Sequence, residues 1–285
     1  MRDTGFQSGV PQPSEACLHA MNIDTLVVAM HQHDRLLVQK MNVQTDTIVG
    51  NQSDTVSDET FTYQGHTITY LNRSDRGVGR NRNRVLESSS AEICVLADDD
   101  LRFVDGYPDL VQEAFEACPQ ADILVFNLVE KVPTRKANDR YRRVRWFGYG
   151  SYGAPRLALR RRSVLQAGVR FSLCFGGGAR YGSGEDTIFL HDCLRHGLRI
   201  YTAPYALAEI DQNAPSTHYT GINEQYFFSK GAAYTCMHPV FWPVFFLSYV
   251  MRHRKQHKGW ITVRAALGAM NAGSADYRHY IRRSR

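Results

Sequence analysis

Short apolar runs recur along the first half of the chain, most of them closed by polar or turn-forming residues: IDTLVVAM (23–30), TDTIVGNQSD (45–54), AEICVLADDD (91–100) and ADILVFNLVE (121–130). Runs this short, apolar and rich in β-branched residues read as buried strands. HTITYLN (66–72) alternates as a further strand does. Between them the spacing becomes helical. HQHDRLLVQKMNVQ carries Leu36, Leu37 and Met41 on one side, GVGRNRNRVLESSS (77–90) opens after glycines, and GYPDLVQEAFEAC (106–118) is a further helix. Strands that alternate with helices in this way predict an α/β fold, a mostly parallel central sheet flanked by helices. Such sheets bind ligands at the carboxyl ends of their strands, where GNQSD and ADDD fall.

One of those ends is chemically odd. Asp98, Asp99 and Asp100 stand side by side after an apolar strand. Neighbouring carboxylates repel one another, and burying them without a partner is costly. Either they form a solvated acidic turn, or a cation holds them.

Beyond residue 130 the character changes. Residues 131–163 are basic, aromatic and punctuated by glycine, and read as loops and irregular strands laid over a sheet edge. They either hold an anionic acceptor or form a solvated surface. GGGARYGSGEDTIFLHDCLRHGLRIYTAP (176–204) predicts a glycine-rich loop, a short helix and a strand.

The net charge of +6 is unevenly spread: Met251 to Arg285 carries nine Lys/Arg against Asp276, so the remainder sums to −2. A basic tail on a near-neutral body favours a polyanion, membrane phospholipid or nucleic acid. The run PVFWPVFFLSYVMRHRKQHKGW (239–260) is too short to span a bilayer. Its aromatic and apolar residues followed by a basic cluster fit either a helix lying in a membrane interface or a core helix packed on the body. The six cysteines show no CxxC spacing, so reduced thiols in a cytosolic protein are expected, without disulfides or a zinc site. The start lacks an apolar leader core and reads as a disordered extension over residues 1–21. A main domain is expected over 22–238, and a basic, amphipathic helical tail over 239–285.

Taken in order, TIVGNQSD, GVGRNRNRVLESSSAEICVLADDD and GSGEDTIFLHDCLRHGLRIYTAP resemble the family 2 glycosyltransferases of the GT-A fold, of the kind that build bacterial cell-surface polysaccharides. Arg82, Asn83, Leu86 and Glu87 stand in that family's helix motif. Asp98 and Asp100 stand in its D-x-D motif, and Glu185 and Asp186 form its late E-D pair. There are departures: AMHQ (29–32) replaces P-x-Y-N, GNQSD is a residue short with Asn51 where an aspartate often reads the base, and Arg80 and Arg84 are extra.

The resemblance implies an inverting, metal-dependent transfer of a sugar from a nucleotide diphosphate, UDP above all, to a hydroxyl of a glycan or lipid-linked glycan. Mn²⁺ or Mg²⁺ would neutralise the leaving diphosphate, with Asp98, Asp100 and His218 as ligands. Ala29, His31, Asn51, Asp54, Arg82, Asp98 and Asp99 would contact the nucleotide-sugar. Asp186 would be the general base, supported by Glu185. Residue by residue there are plainer alternatives: an acidic turn for the aspartates, a helix-capping acid for Asp186, a structural His218, and a solvated face for Arg80 and Arg84. The expected setting is the cytoplasmic face of a membrane, bound peripherally to anionic lipid, with no nucleic-acid partner. A degenerate scaffold that binds glycan or a partner, and a sugar-phosphate nucleotidyltransferase, are the other classes the pattern admits.

Overall fold

The computed structural model of the protein describes residues 20–133, 135–211, 222–254 and 259–283. The expected N-terminal extension falls almost wholly outside them. The chain runs β1 (Ile23–Met30), α1 (Leu36–Lys40), β2 (Asp46–Gln52), β3 (Ser57–Tyr63), β4 (His66–Arg73), α2 (Val78–Ser88), β5 (Ile93–Asp98), β6 (Leu101–Phe103), α3 (Tyr107–Ala117) and β7 (Ile123–Val129). It continues through β8 (Arg142–Arg143), β9 (Leu157–Arg160), α4 (Arg161–Gln166), α5 (Glu185–Arg195), β10 (Ile200–Ile210), α6 (Glu224–Met237), α7 (Trp242–Arg252) and α8 (Val263–Arg283).

Among the described residues all ten strands form one sheet, ordered β3-β4-β2-β1-β5-β9-β7-β10-β6, with β8 on β10. β4, β2, β1 and β5 are mutually parallel, and β7 and β10 share their direction. The mostly parallel sheet flanked by helices is therefore present. β9 is the exception in its interior, running antiparallel between β5 and β7. The sequence reading laid residues 131–163 over an edge. Instead, Leu157, Ala158 and Leu159 are fully buried at the centre of the sheet. The apolar LALR is only four residues long and lies among arginines, so local composition hid it. β3 was also unforeseen. It pairs with β4 through a two-residue turn in which Gln64 and Gly65 both have positive φ, 49° and 84°. That is the backbone of a tight hairpin, closed here without the usual Asn-Gly or Asp-Gly signature.

Strand parity then decides what faces what. Leu26, Val28, Cys94 and Leu96 belong to the core layer under α2 and α5, with Val85, Leu86, Ile188 and Leu190. Val27, Ala29, Val95 and Ala97 belong to the opposite layer, with Leu37 and Val38 of α1 and Val111 and Phe115 of α3. Residue 98 continues the parity of Cys94 and Leu96, so Asp98 emerges on the α2–α5 side.

The C-terminal helices are not a free tail. Phe246 and Val250 of α7, Ala266 and Met270 of α8 and Phe227 of α6 share a core of their own. α6 and α8 cross where two glycines interlock. A Cβ on Gly231 would meet the Met270 carbonyl oxygen, and one on Gly273 would meet that of Phe228. Asp276 of α8 pairs with Arg180 (2.7 Å) and accepts from the Tyr181 hydroxyl (2.7 Å), so α8 also rests on the glycine-rich segment before α5. Among the described residues the five cysteines are all free.

Replacing a mid-helix glycine by alanine ordinarily stabilises by roughly 0.5–1 kcal/mol. Gly273→Ala is expected to do the reverse, costing roughly 1–3 kcal/mol through overpacking against α6. A thermal melt checks the sign, since each kcal/mol lowers Tm by roughly 2–4 °C in a chain of this size.

Candidate active site

The site forms around a buried cation. Arg82 lies on the face of α2 that also buries Val78, Asn81, Val85 and Leu86, and its side chain is only 4% exposed. Nη2 donates to Asp98 Oδ1 (2.8 Å) at the end of β5. Nη1 donates to Asp186 Oδ1 (2.7 Å) and Glu185 Oε1 (3.3 Å) in the first turn of α5. The guanidinium also lies 5.4 Å from the centre of the Phe171 ring. Burial works against its charge, but Asp98, Asp186 and Glu185 together hold its pKa above the usual arginine value. One residue thus ties a strand end to a helix start.

Backbone geometry aims α2 and α5 at each other. Gln52 at the end of β2 accepts from the Gly77 amide (2.8 Å), and the Val78 amide donates to the Gly177 carbonyl (2.9 Å). Gly176 sits at φ +96°, and a Cβ there would come within 2.6 Å of Val78 and 2.7 Å of the Glu185 carboxyl carbon. Asn83 secures the same corner. Its amide donates to the Phe171 carbonyl (2.8 Å) and accepts from the Phe171 amide (2.8 Å). α5 starts after Gly184, held at φ +115°. Its first-turn carboxylates lie at the positive end of the helix dipole.

Asp186 has a second wall. Gly153 passes so close that a Cβ on it would lie 3.3 Å from Asp186 Oδ2. Burial pushes the Asp186 carboxyl up most strongly. Arg82 opposes this, and the charges of Glu185 and Asp98 add to it, leaving a carboxyl that holds its proton to higher pH than an ordinary aspartate. Sequence reasoning missed Gly153 and the Ala154 amide that also bears on Asp186. They lie in an irregular stretch whose only signal was its glycines.

The three aspartates divide. Asp98 is engaged by Arg82. The Gln32 side chain reaches Asp99 Oδ2 at 3.4 Å. Asp100 Oδ1 is buried without a hydrogen-bond partner, and burial together with the charges of Asp98 and Asp99 raises its carboxyl to about 6. A buried carboxylate oxygen lacking a donor is a fit for a hard cation. Among the described residues no three His, Cys, Asp or Glu side chains converge as a metal-ligand set. His218 lies outside the described residues.

Most of the other expected contacts lie at the adjoining ends of β1, β2 and β5: Ala29 is the register partner of Asn51, and Gln32 links Asn51 to Asp99. Asn51 is fully buried: its Oδ1 accepts from the Gln32 amide (3.1 Å) and its Nδ2 donates to the Gln32 carbonyl and to Asn72 Oδ1 (both 2.8 Å). It clasps the turn after β1. Ala29 is buried in the sheet, and His31 follows β1 at φ +54° on the surface. Asp54 pairs with Arg76 (3.0 Å). Arg80 and Arg84 flank Asp75 at 3.5 and 2.6 Å, and Glu87 pairs with Arg170 (2.8 Å).

No family model and no curated protein sequence matches this chain. Solved structures do. TarS of S. aureus, residues 1–349 in complex with UDP, matches at 12% identity with a TM-score of 0.57, covering 93% of this chain and 92% of that one. The same TarS segment in complex with UDP-GlcNAc matches at 12% identity and a TM-score of 0.56, over 75% of this chain and 66% of that one. A longer TarS chain matches at 12% identity and 0.51, and this chain spans 39% of its length. The likeness shows the fold, the α/β architecture of TarS.

Asp100 keeps its proton up to about pH 6 when folded, whereas an unfolded aspartate releases it near pH 4. Folding takes up that proton between the two values, so the stability it contributes is full below about pH 4 and is lost as the pH rises through about 6. In metal-free buffer, Asp100→Asn should melt above the wild type at about pH 7 and match it at about pH 4. Equal melting at both pH values would remove the buried, unpartnered carboxylate.

Proposed function

We propose that the protein is an inverting glycosyltransferase of the GT-A kind. It moves a sugar from a nucleotide diphosphate, UDP above all, to a hydroxyl of a glycan or lipid-linked glycan in cell-surface polysaccharide synthesis. The observation that carries this reading is the single guanidinium joining Asp98 at the strand end to Asp186 at the helix start. That arrangement brings an acidic group for the donor and a carboxylate base onto one side chain. The likeness to a fold that in TarS holds UDP-GlcNAc and UDP supports it.

Asp186 takes the proton of the acceptor hydroxyl as its oxygen bonds to the anomeric carbon, and the bond from that carbon to the diphosphate breaks on the opposite face. A carboxylate with raised proton affinity suits this work better than an ordinary aspartate, because a base is most effective with a pKa near the operating pH. Arg82 holds Asp186 in place and opposes the burial that raises its proton affinity. Glu185 shares the same guanidinium and orients it. Asp98 and Asp100 would hold Mn²⁺ or Mg²⁺, which when bound supplies positive charge to the leaving diphosphate.

No helix among the described residues is long and apolar enough to cross a membrane. We place the protein peripherally at the cytoplasmic face of a membrane, resting on α7. Val244, Leu247 and Met251 of α7 are exposed at the spacing of one helix face, with Val240 and Phe241 exposed in the turn before it and Trp260 beyond it. Arg252 follows in the last turn.

Titrating UDP, GDP, CDP and dTDP with and without Mn²⁺ tests the donor. One nucleotide should bind, and only with metal. Asp186→Asn should keep that binding and lower transfer by roughly 10²–10⁴-fold, the usual contribution of a general base. Full transfer by the variant would overturn the assignment. On α7, Leu247→Glu should reduce co-sedimentation with anionic vesicles while leaving UDP affinity intact. Unchanged sedimentation would mean that this face meets something other than lipid.

A further inference from the structure

A charged cavity adjoins the chain segment that walls Asp186. Its volume is about 250 Å³, and its lining includes Arg135, Lys136, Arg140, Arg142 and Tyr152. Its floor is built rather than draped. Asn138 donates its backbone amide to Asn127 Oδ1 (2.8 Å), accepts at its carbonyl from Asn127 Nδ2 (3.0 Å), and donates its side chain to the Val125 carbonyl (3.2 Å). Thr202 of β10 takes the Arg142 amide (3.0 Å) and donates to the Arg140 carbonyl (2.7 Å). Both ends of the loop are thereby fastened to the sheet.

Arg135 is the anomaly. Its guanidinium stacks 4.0 Å from the centre of the Tyr152 ring, and one nitrogen donates to Asn138 Oδ1 (3.3 Å). Nε and Nη1 are buried with no hydrogen-bond partner. No carboxylate among the described residues pairs with it: Asp139 lies with Arg140 and Arg142 at 3.3 and 3.9 Å, and Glu130 pairs with Arg156. The residue is only half-buried, yet buried guanidinium nitrogens with idle donors are costly unless a ligand completes them.

The charges choose the ligand. Arg135, Lys136, Arg140 and Arg142 face one acid, Asp139. The idle nitrogens of Arg135 lie on different edges of the guanidinium, so one anion seats on one edge and its remaining charge must be met by the other basic side chains. A phosphate carries up to two charges and oxygens in several directions, and arginine binds it well. The cavity holds several times the roughly 30 Å³ that one water occupies. Position supplies the meaning: Tyr152 lines this cavity, while the next residue, Gly153, lies against Asp186.

We propose that this cavity is an acceptor subsite for a phosphate ester, so that the acceptor is a phosphate-bearing glycan or a lipid-linked sugar phosphate. Its role as an acceptor subsite rests on the transferase reading; the anion site itself does not.

The test titrates the full chain, in metal-free buffer, with glycerol 3-phosphate, inorganic phosphate and acetate, using wild type and Arg135→Gln. UDP with Mn²⁺ is the control for an intact donor site. Glycerol 3-phosphate should bind the wild type at least as well as inorganic phosphate does, acetate should bind neither protein, and Arg135→Gln should weaken the ester roughly tenfold while leaving UDP unchanged. If Arg135→Gln also loses UDP, the doubly substituted Arg140→Gln, Arg142→Gln protein, altered only at exposed positions, must show the weakening. Ester binding equal in wild type and variant, or absent from the wild type, overturns the subsite even if UDP binds. Binding of inorganic phosphate without the ester overturns the acceptor role. Arg135-dependent ester binding by a chain that binds no nucleotide keeps the anion site and removes the transferase.

Discussion

The site depends on one buried charge. Arg82 has almost no contact with water and is surrounded by Asp98, Glu185 and Asp186. Taking a guanidinium out of water is costly, and three carboxylates in one place repel one another; each problem is the other's solution. Removing Arg82 would leave the carboxylates uncompensated, a loss of roughly 3–5 kcal/mol for a buried ion pair broken on one side. The glycine-rich stretch before α5 follows from the same constraint. α2 and α5 must approach until a Gly176 Cβ would strike both Val78 and Glu185, so no side chain fits there.

Around that centre the sheet works as a sorting device. Alternate residues of β2 and β5 serve opposite sides. Gln52 and Asp98 reach the α2–α5 side, where they cap α2 and meet Arg82. Asn51 turns the other way and locks the turn after β1. The basic middle of the chain splits in a similar manner: β9 enters the sheet, the segment before it walls Asp186, and the loop from Arg135 to Arg142 forms a separate cationic cavity. The C-terminal helices join the body through Gly231 and Gly273, yet leave one apolar face of α7 outside.

The sequence by itself determined the α/β class, the positions of most strands and the acidic character of two strand-end and helix-start motifs. These are encoded locally, in runs of apolar residues, in period and in adjacent charges, and they read out without knowledge of partners. It also marked Asp98, Asp100, Glu185 and Asp186 as the residues to watch. Tertiary structure alone decided that Arg82 faces inward onto carboxylates rather than outward onto a base or phosphate, since on α2 the arginines at 80, 82 and 84 look alike until the packing selects a face. It decided that Asn51 is buried and fastens the turn after β1, that LALR sits mid-sheet, and that two guanidinium nitrogens of Arg135 are buried with idle donors while its basic neighbours stay in solvent. The physical reason is the same in each case. Burial and pairing are set by residues distant in the chain, and a charged side chain carries no local sign of whether its partner will be water, a carboxylate or a ligand.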